Sequence, residues 1–200
     1  MKRVCIIVFL FTLFYSSNTL GRRSKTYLDL DLGYGRYSQK TLDIYQTDLK
    51  GPLIGIGIFR RLSPTFYLGV SLHAHRFKQN VVIDGRQDQL KQSNYIASIY
   101  GKRFFSPSSR FFLLGKMNYS FKKYSLDEPR LEEIEPAAKT VYGLEDDKEL
   151  GISYGMGIKL FKLDRRRQAR SYMESKFYRT DYLSSKSNDL TLSLSYVRRI

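Results

Sequence analysis

The residues best suited to chemistry are His73 and His75, the two histidines of a 200-residue chain, with Ser71 two positions before the first of them. On an extended strand that spacing puts all three side chains on one face. A serine beside an imidazole and an acid can carry acyl transfer, and paired imidazoles can share a metal or act as bases. The rest of the chain gives that chemistry little to build on. Cys5 is the lone cysteine, and there is no zinc spacing, phosphate-binding glycine loop or nucleotide fingerprint. Polar lining residues are therefore expected here, with no catalytic group, no metal and no cofactor.

A second set shares the same kind of position. Asp29, Asp31, Lys116, Lys159, Glu174 and Lys176 each fall on the polar side of an alternating segment. If that side faces an enclosed space, the charges must neutralise one another, because an unpaired buried charge is costly. A lumen filled by an ion-pair network is the expectation, with little room for a diffusional pore.

Strands must position these groups, and the pattern for strands is repeated along the chain. In 149–163, Leu150, Ile152, Tyr154, Met156, Ile158 and Leu160 alternate with Gly151, Ser153, Gly155, Gly157 and Lys159. A period of two over this length marks a strand with one oily face and one cramped or wet face. The same pattern recurs in 26–37, 52–62, 66–77, 92–105, 110–124, 169–182 and 189–200, although Ile96 and Tyr100 interrupt the polar side of the fourth. Pro64 and Pro107 mark tight turns, since proline presets a turn dihedral and cannot join a ladder. Polar stretches 38–51, 78–91 and 125–148 form the long connections, and the last carries eight acids against three bases.

An even strand number with long and short connections in alternation predicts an all-β, eight-stranded antiparallel up-and-down transmembrane β-barrel. A soluble barrel would also alternate, but with its apolar side inward. Here the non-apolar side carries glycines 33, 35, 55, 57, 69, 151, 155 and 157. Glycine weakens a solvated strand and fits the crowded inside of a narrow barrel, so the apolar side is read as facing lipid. Tyr27, Tyr34, Phe66, Tyr119, Phe121, Phe161, Phe177 and Tyr196 recur near strand ends, as interfacial girdles require.

Residues 1–21 read as a cleaved signal peptide ahead of a barrel domain at 22–200. Lys2 and Arg3 precede an apolar run at 4–14 that would rise only about 16 Å as a helix, against a hydrocarbon core of about 30 Å. Without that segment the chain keeps 32 basic and 19 acidic residues, a charge of +13, and no cysteine. An exported protein rarely meets nucleic acid, so no nucleic-acid partner is expected.

Leu190, Leu192, Leu194 and Tyr196 alternate along the last predicted strand, and the chain ends Val197-Arg198-Arg199-Ile200. With these strands the chain resembles the small outer-membrane β-barrel proteins of the porin-like superfamily, from Gram-negative and related bacteria. The resemblance implies an outer-membrane location, periplasmic termini, contact with outer-membrane lipids, and handling by the barrel-assembly machinery. Ile200 stands where the family usually has a terminal aromatic. The implied topology gathers Arg60, Arg61, Lys102, Arg103, Arg165, Arg166, Arg167 and Arg170 into a basic periplasmic rim, suited to anionic headgroups. The leading expectation is a non-enzymatic role in membrane integrity, adhesion or surface recognition, with an extracellular partner met through loop 125–148. Small barrels of this kind also include lipid A acyltransferases and deacylases that assemble a His, a Ser and an acid, so lipid A modification by Ser71, His73 and His75 is the alternative.

Overall fold

The computed structural model describes residues 25–41, 45–83, 86–126, 147–163, 171–184 and 187–200. The signal segment 1–21, the turn residues Arg165, Arg166, Arg167 and Arg170, and 127–146 of the acidic connection lie outside the described residues. Eight strands follow one another: β1 (Thr26–Thr41), β2 (Tyr45–Arg61), β3 (Phe66–Ile83), β4 (Arg86–Phe104), β5 (Phe111–Leu126), β6 (Asp147–Lys162), β7 (Ser171–Tyr182) and β8 (Asn188–Arg199). Each pairs antiparallel with its neighbours in the chain, and β1 closes on β8 from Tyr27↔Arg199 to Ser38↔Asn188. No helix occurs among the described residues.

The polar stretches 38–51 and 78–91 are not loops throughout. β1 and β2 stay in register out to Thr41↔Tyr45, and β3 and β4 out to Ile83↔Arg86. Alternation of apolar and polar side chains ends there, but the antiparallel ladder does not depend on it. Beyond a bilayer both strand faces can be polar while the backbone bonds continue. These hairpins therefore stand well above the 9–11 residues that cross a bilayer.

The two faces separate as the pattern predicts. Leu32 is 64 % exposed, and Ile54, Leu72, Met117, Met156 and Leu192 are exposed with it, forming a continuous apolar band around the outside. Tyr34, Tyr119, Phe161 and Phe177 also face outward, whereas Tyr27 is half-buried and stacks on Phe59 at 5.1 Å between ring centres. Tyr27 therefore belongs to the inside and not to a girdle, because its alternation follows Asp29 and Asp31 rather than Leu28 and Leu30.

Two glycines show why the inner face needs small residues. A Cβ on Gly157 would lie 2.2 Å from the Phe112 ring, and one on Gly55 would lie 2.1 Å from the His73 ring. The large inward side chains take the space that their cross-strand neighbours give up. At the termini end, Ser63 Oγ accepts the Phe66 N–H at 3.0 Å, and Arg61 donates to the Ser63 and Pro64 carbonyls at 3.1 and 3.2 Å. The β2–β3 turn is thereby closed by its own side chains.

Leu32→Arg tests the outward band. In lipid vesicles it should lower the unfolding free energy by about 2–4 kcal/mol, as for a cation placed near a bilayer midplane. A change near zero in urea titrations followed by heat-modifiable gel migration would mean the band faces water.

Candidate functional site

Inside the barrel the side chains form three zones. Nearest the termini is an aromatic layer, in which Phe59, Tyr67, Tyr100, Phe104 and Phe112 are buried against one another. Tyr67 meets Phe104 edge-on at 5.3 Å, and Phe104 meets Phe112 at 5.0 Å. Lys159 Nζ lies 4.2 Å from the centre of the Phe104 ring and 4.8 Å from that of Tyr172. β6 delivers this lysine just before its pairing with β7 slips between Lys159 and Lys162.

The middle zone holds the charges. Lys176 Nζ donates to Asp29 Oδ2 at 2.7 Å and to Asp31 Oδ1 at 2.8 Å. Lys102 Nζ donates to Glu174 Oε2 at 2.6 Å and to Asp29 Oδ2 at 3.3 Å, where Tyr100 also donates at 3.4 Å. Ser195 donates to Asp31 Oδ1 over a short contact. Lys116 Nζ sits 3.9 Å from the centre of the Tyr178 ring. Three carboxylates thus stand among four lysines, counting Lys159 of the adjoining aromatic layer. Two lysines take ion pairs and the other two lie over aromatic rings, a placement that favours a cation where water is scarce.

Of the six inward charges read from the alternation, Asp29, Asp31, Glu174 and Lys176 come together in one cluster. Lys116 and Lys159 rest on rings beside it. Lys102, expected at the periplasmic rim, is instead fully buried and completes the cluster. Its residue position is inward, and the long stem carries the amine toward Glu174 and away from the barrel end. Of the rim arginines within the described residues, Arg103 is exposed, Arg61 is bound to its own turn, and Arg60 is buried.

The third zone lies toward the opposite end. Lys122 Nζ pairs closely with Glu149 Oε2 and donates to Tyr37 Oη at 3.0 Å and Ser187 Oγ at 3.2 Å. Ser184 donates to the other Glu149 oxygen at 3.0 Å. His75 Nδ1 lies 3.1 Å from Asp189 Oδ2, and Asn94 donates to Tyr182 Oη at 2.9 Å. Neither Lys122 nor Glu149 belongs to the set read from the sequence. Both are on inward positions, but only the β5–β6 register, with Ser120 opposite Glu149, shows that they meet.

His73 and His75 point inward as their spacing requires, but into different zones. His73 Nε2 is 3.0 Å from Asp31 Oδ2, and its Nδ1 is 3.4 Å from Ser71 Oγ. A single tautomer serves both contacts, with Nε2–H donating to Asp31 and Nδ1 accepting from Ser71. Serine, histidine and aspartate are thus in line, yet all three are buried in the wall of the filled lumen. Asp31 is also shared with Lys176 and Ser195. The arrangement ties β1, β3, β7 and β8 together. Among the described residues no group of three or more potential ligands is placed to hold a metal.

No protein-family model matches the chain, and no curated protein matches its sequence. Solved structures do match. Neisserial surface protein A is 13% identical, with 90% of this chain and 100% of that one covered, at a TM-score of 0.50. The attachment invasion locus protein Ail of Yersinia pestis, in complex with the heparin analogue sucrose octasulfate, is 11% identical over 88% of this chain and 99% of that one, also at 0.50. The outer membrane protein OprG of Pseudomonas aeruginosa is 12% identical over 90% and 95%, at 0.45. The fold is that of the small outer-membrane β-barrels, an eight-stranded antiparallel transmembrane barrel.

Lys176→Met measures the central cluster. Alone it should destabilise the folded barrel by about 3–5 kcal/mol, because two buried carboxylates lose their common partner. Combining it with Asp29→Asn and Asp31→Asn should cost clearly less than the sum of the separate changes. Strict additivity in urea midpoints would mean that the three groups do not interact.

Proposed function

We propose that this chain is an exported outer-membrane protein that acts by recognition at the cell surface and not by catalysis or transport. The observation that carries the reading is the filled lumen. Aromatic rings, the Asp29–Asp31–Lys102–Glu174–Lys176 cluster and the Lys122–Glu149 group occupy successive levels of the barrel interior. No substrate reaches Ser71 or His73 by that route, which leaves the connections at the end away from the termini as the parts able to meet a partner.

The longest of them, 125–148, carries a net charge of −5, so the partner chemistry that fits it is a basic surface. The likeness to Ail, an attachment protein by name, supplies a precedent for a barrel of this size in attachment. The basic rim at the termini end, with Arg103 exposed, is read as an anchor to anionic headgroups on the periplasmic side. A periplasmic exit for both termini fits a chain folded by the barrel-assembly machinery from that side.

The decisive experiment displays the wild-type protein and the variant Glu132→Gln, Glu133→Gln, Glu135→Gln on cells and compares their attachment to polylysine-coated and heparin-coated surfaces. Wild-type cells should favour the basic surface, and the variant should lose most of that preference at equal surface display. Equal attachment by both would remove the loop from the function. Lipid A profiles should be identical by mass spectrometry with and without the gene, while a new acylated or deacylated species would make the protein an enzyme.

Closure of the lumen is tested separately. Purified protein in planar bilayers should show no sustained single-channel conductance, and a stable open level would show that water and ions pass the central cluster.

A further inference from the structure

The outward face of β7 departs from that of its neighbours. On β6 the outward positions are Leu150, Ile152, Tyr154, Met156, Ile158 and Leu160, and on β8 they are Leu190, Leu192, Leu194 and Tyr196. On β7, between them, the outward side chains are Ser171, Met173, Ser175, Phe177, Arg179 and Asp181. The last two form an ion pair whose side chains are 47 and 40 % exposed.

The register gives the depth of this pair. Successive partners lead from Leu28 on β1 through Ile58, Val70, Ile99, Met117, Ile152, Asp181 and Asn188 back to β1 at Ser38. One circuit climbs from residue 28 to residue 38, and about three quarters of that climb is complete at β7. Arg179 therefore stands level with about residue 33 of β1, between the exposed Leu32 and Tyr34, and Asp181 just above it. Apolar side chains continue past the pair. Leu183 is exposed, as is Leu150, whose carbonyl accepts the Leu183 N–H at 2.9 Å. With Phe177 below and Leu183 above, the charges lie inside the apolar band and not beyond its edge.

Asp181 accepts Arg179 Nε–H on Oδ1 at 2.7 Å and the Tyr154 hydroxyl on Oδ2 at 2.9 Å. The charges cancel, but the guanidinium still carries N–H donors on both Nη atoms, and these have no acceptor among the described residues. Acyl chains supply none, and an ionised group facing hydrocarbon is costly. A partner that covers the patch must therefore bring a carboxylate to the same depth.

A second copy of the chain does so by symmetry. Two copies inserted the same way are related by a two-fold axis along the membrane normal, which sets equivalent residues at equal depth. Arg179 already spans the step up to its own Asp181, and the step to Asp181 of a second copy is the same height. Nε keeps the bond within one copy while Nη bonds the other, so two arginines and two aspartates close a ring. An isologous contact needs a self-complementary patch, and a cation beside an anion is one. We propose that the outer face of β7 is a homodimer interface within the membrane, in which Arg179 of each copy bonds Asp181 of the other. The inference rests on the membrane reading of the barrel and goes beyond the surface recognition proposed above.

Cross-linking of the full chain in bacterial outer membranes tests this. The lone Cys5 lies in the segment read as a cleaved signal peptide, so a cysteine added to the barrel reports alone. Phe177→Cys, treated with a short bismaleimide, should give a covalent species of twice the monomer mass. Leu72→Cys, on β3 at the opposite side of the barrel, should not, and neither should the wild type. Adding Arg179→Leu and Asp181→Leu to Phe177→Cys should lower the dimer yield about tenfold or more, as expected when a desolvated charge pair is lost from an interface. Both leucines suit a lipid-facing position, so heat-modifiable migration should survive, and Asp181→Asn, a smaller change, should lower the yield as well. Dimer from Leu72→Cys equal to that from Phe177→Cys would reveal random collision and overturn the interface. So would a yield that ignores the leucine changes, an adduct of some other mass, or no adduct at all. Absence of any heat-modifiable form of the wild type would instead defeat the membrane reading on which the interface depends.

Discussion

Hydrocarbon offers a backbone nothing to bond to, so every amide in the spanning region must find its partner in another strand. The closure of β1 on β8 is the step that removes the last open edge. From it the remaining features follow. Once the sheet is closed, odd and even positions are assigned to two solvents, lipid outside and side chains inside. A strand such as β6 can then carry Met156 and Gly157 as neighbours in sequence while one meets lipid and the other a Phe112 ring.

Closure also turns the inside into a place where charge is expensive. Eight strands leave room for side chains and little else, so a lysine admitted to the lumen must find either a carboxylate or a ring face. The barrel uses both. Lys176 and Lys102 take the carboxylates, and Lys116 and Lys159 take Tyr178 and Phe104. Because Asp31 joins β1 to Lys176 of β7, Ser195 of β8 and His73 of β3, the network also acts as a set of cross-braces across the interior. An apolar filling would hold the wall as well, and buried pairs of this kind are often no more stabilising than one. What pairing adds is dependence on register, since a one-residue slip would turn Asp31 toward lipid.

The architecture was legible because its signal is local. Period-two alternation is visible within ten residues, and it assigns Asp29, Asp31, Glu174 and Lys176 to the inside without any knowledge of pairing. The content of the lumen was only partly legible because contacts across the barrel are not local. Lys122 and Glu149 meet only because β5 and β6 are staggered as they are, and Lys102 belongs to the cluster because its stem reaches away from the rim that its position suggests. Tyr27 shows the same limit in an aromatic: nearness to a strand end does not say which face a ring is on, whereas parity with Asp29 does. The lengths of β1–β4 escaped a reading by hydrophobic pattern for a related reason, since the ladder outlasts the bilayer that imposes the alternation.

Inside and outside therefore treat like charge in opposite ways. In the lumen each lysine among the described residues is placed against an acid or a ring, and the register that brings them together is enforced by the cost of leaving any of them bare. On the outer surface the same register aligns Arg36, Lys50, Lys78 and Lys91 side by side. Water and salt screen that row where it is fully wet, but at the border of an apolar band screening is weaker and the repulsion correspondingly larger.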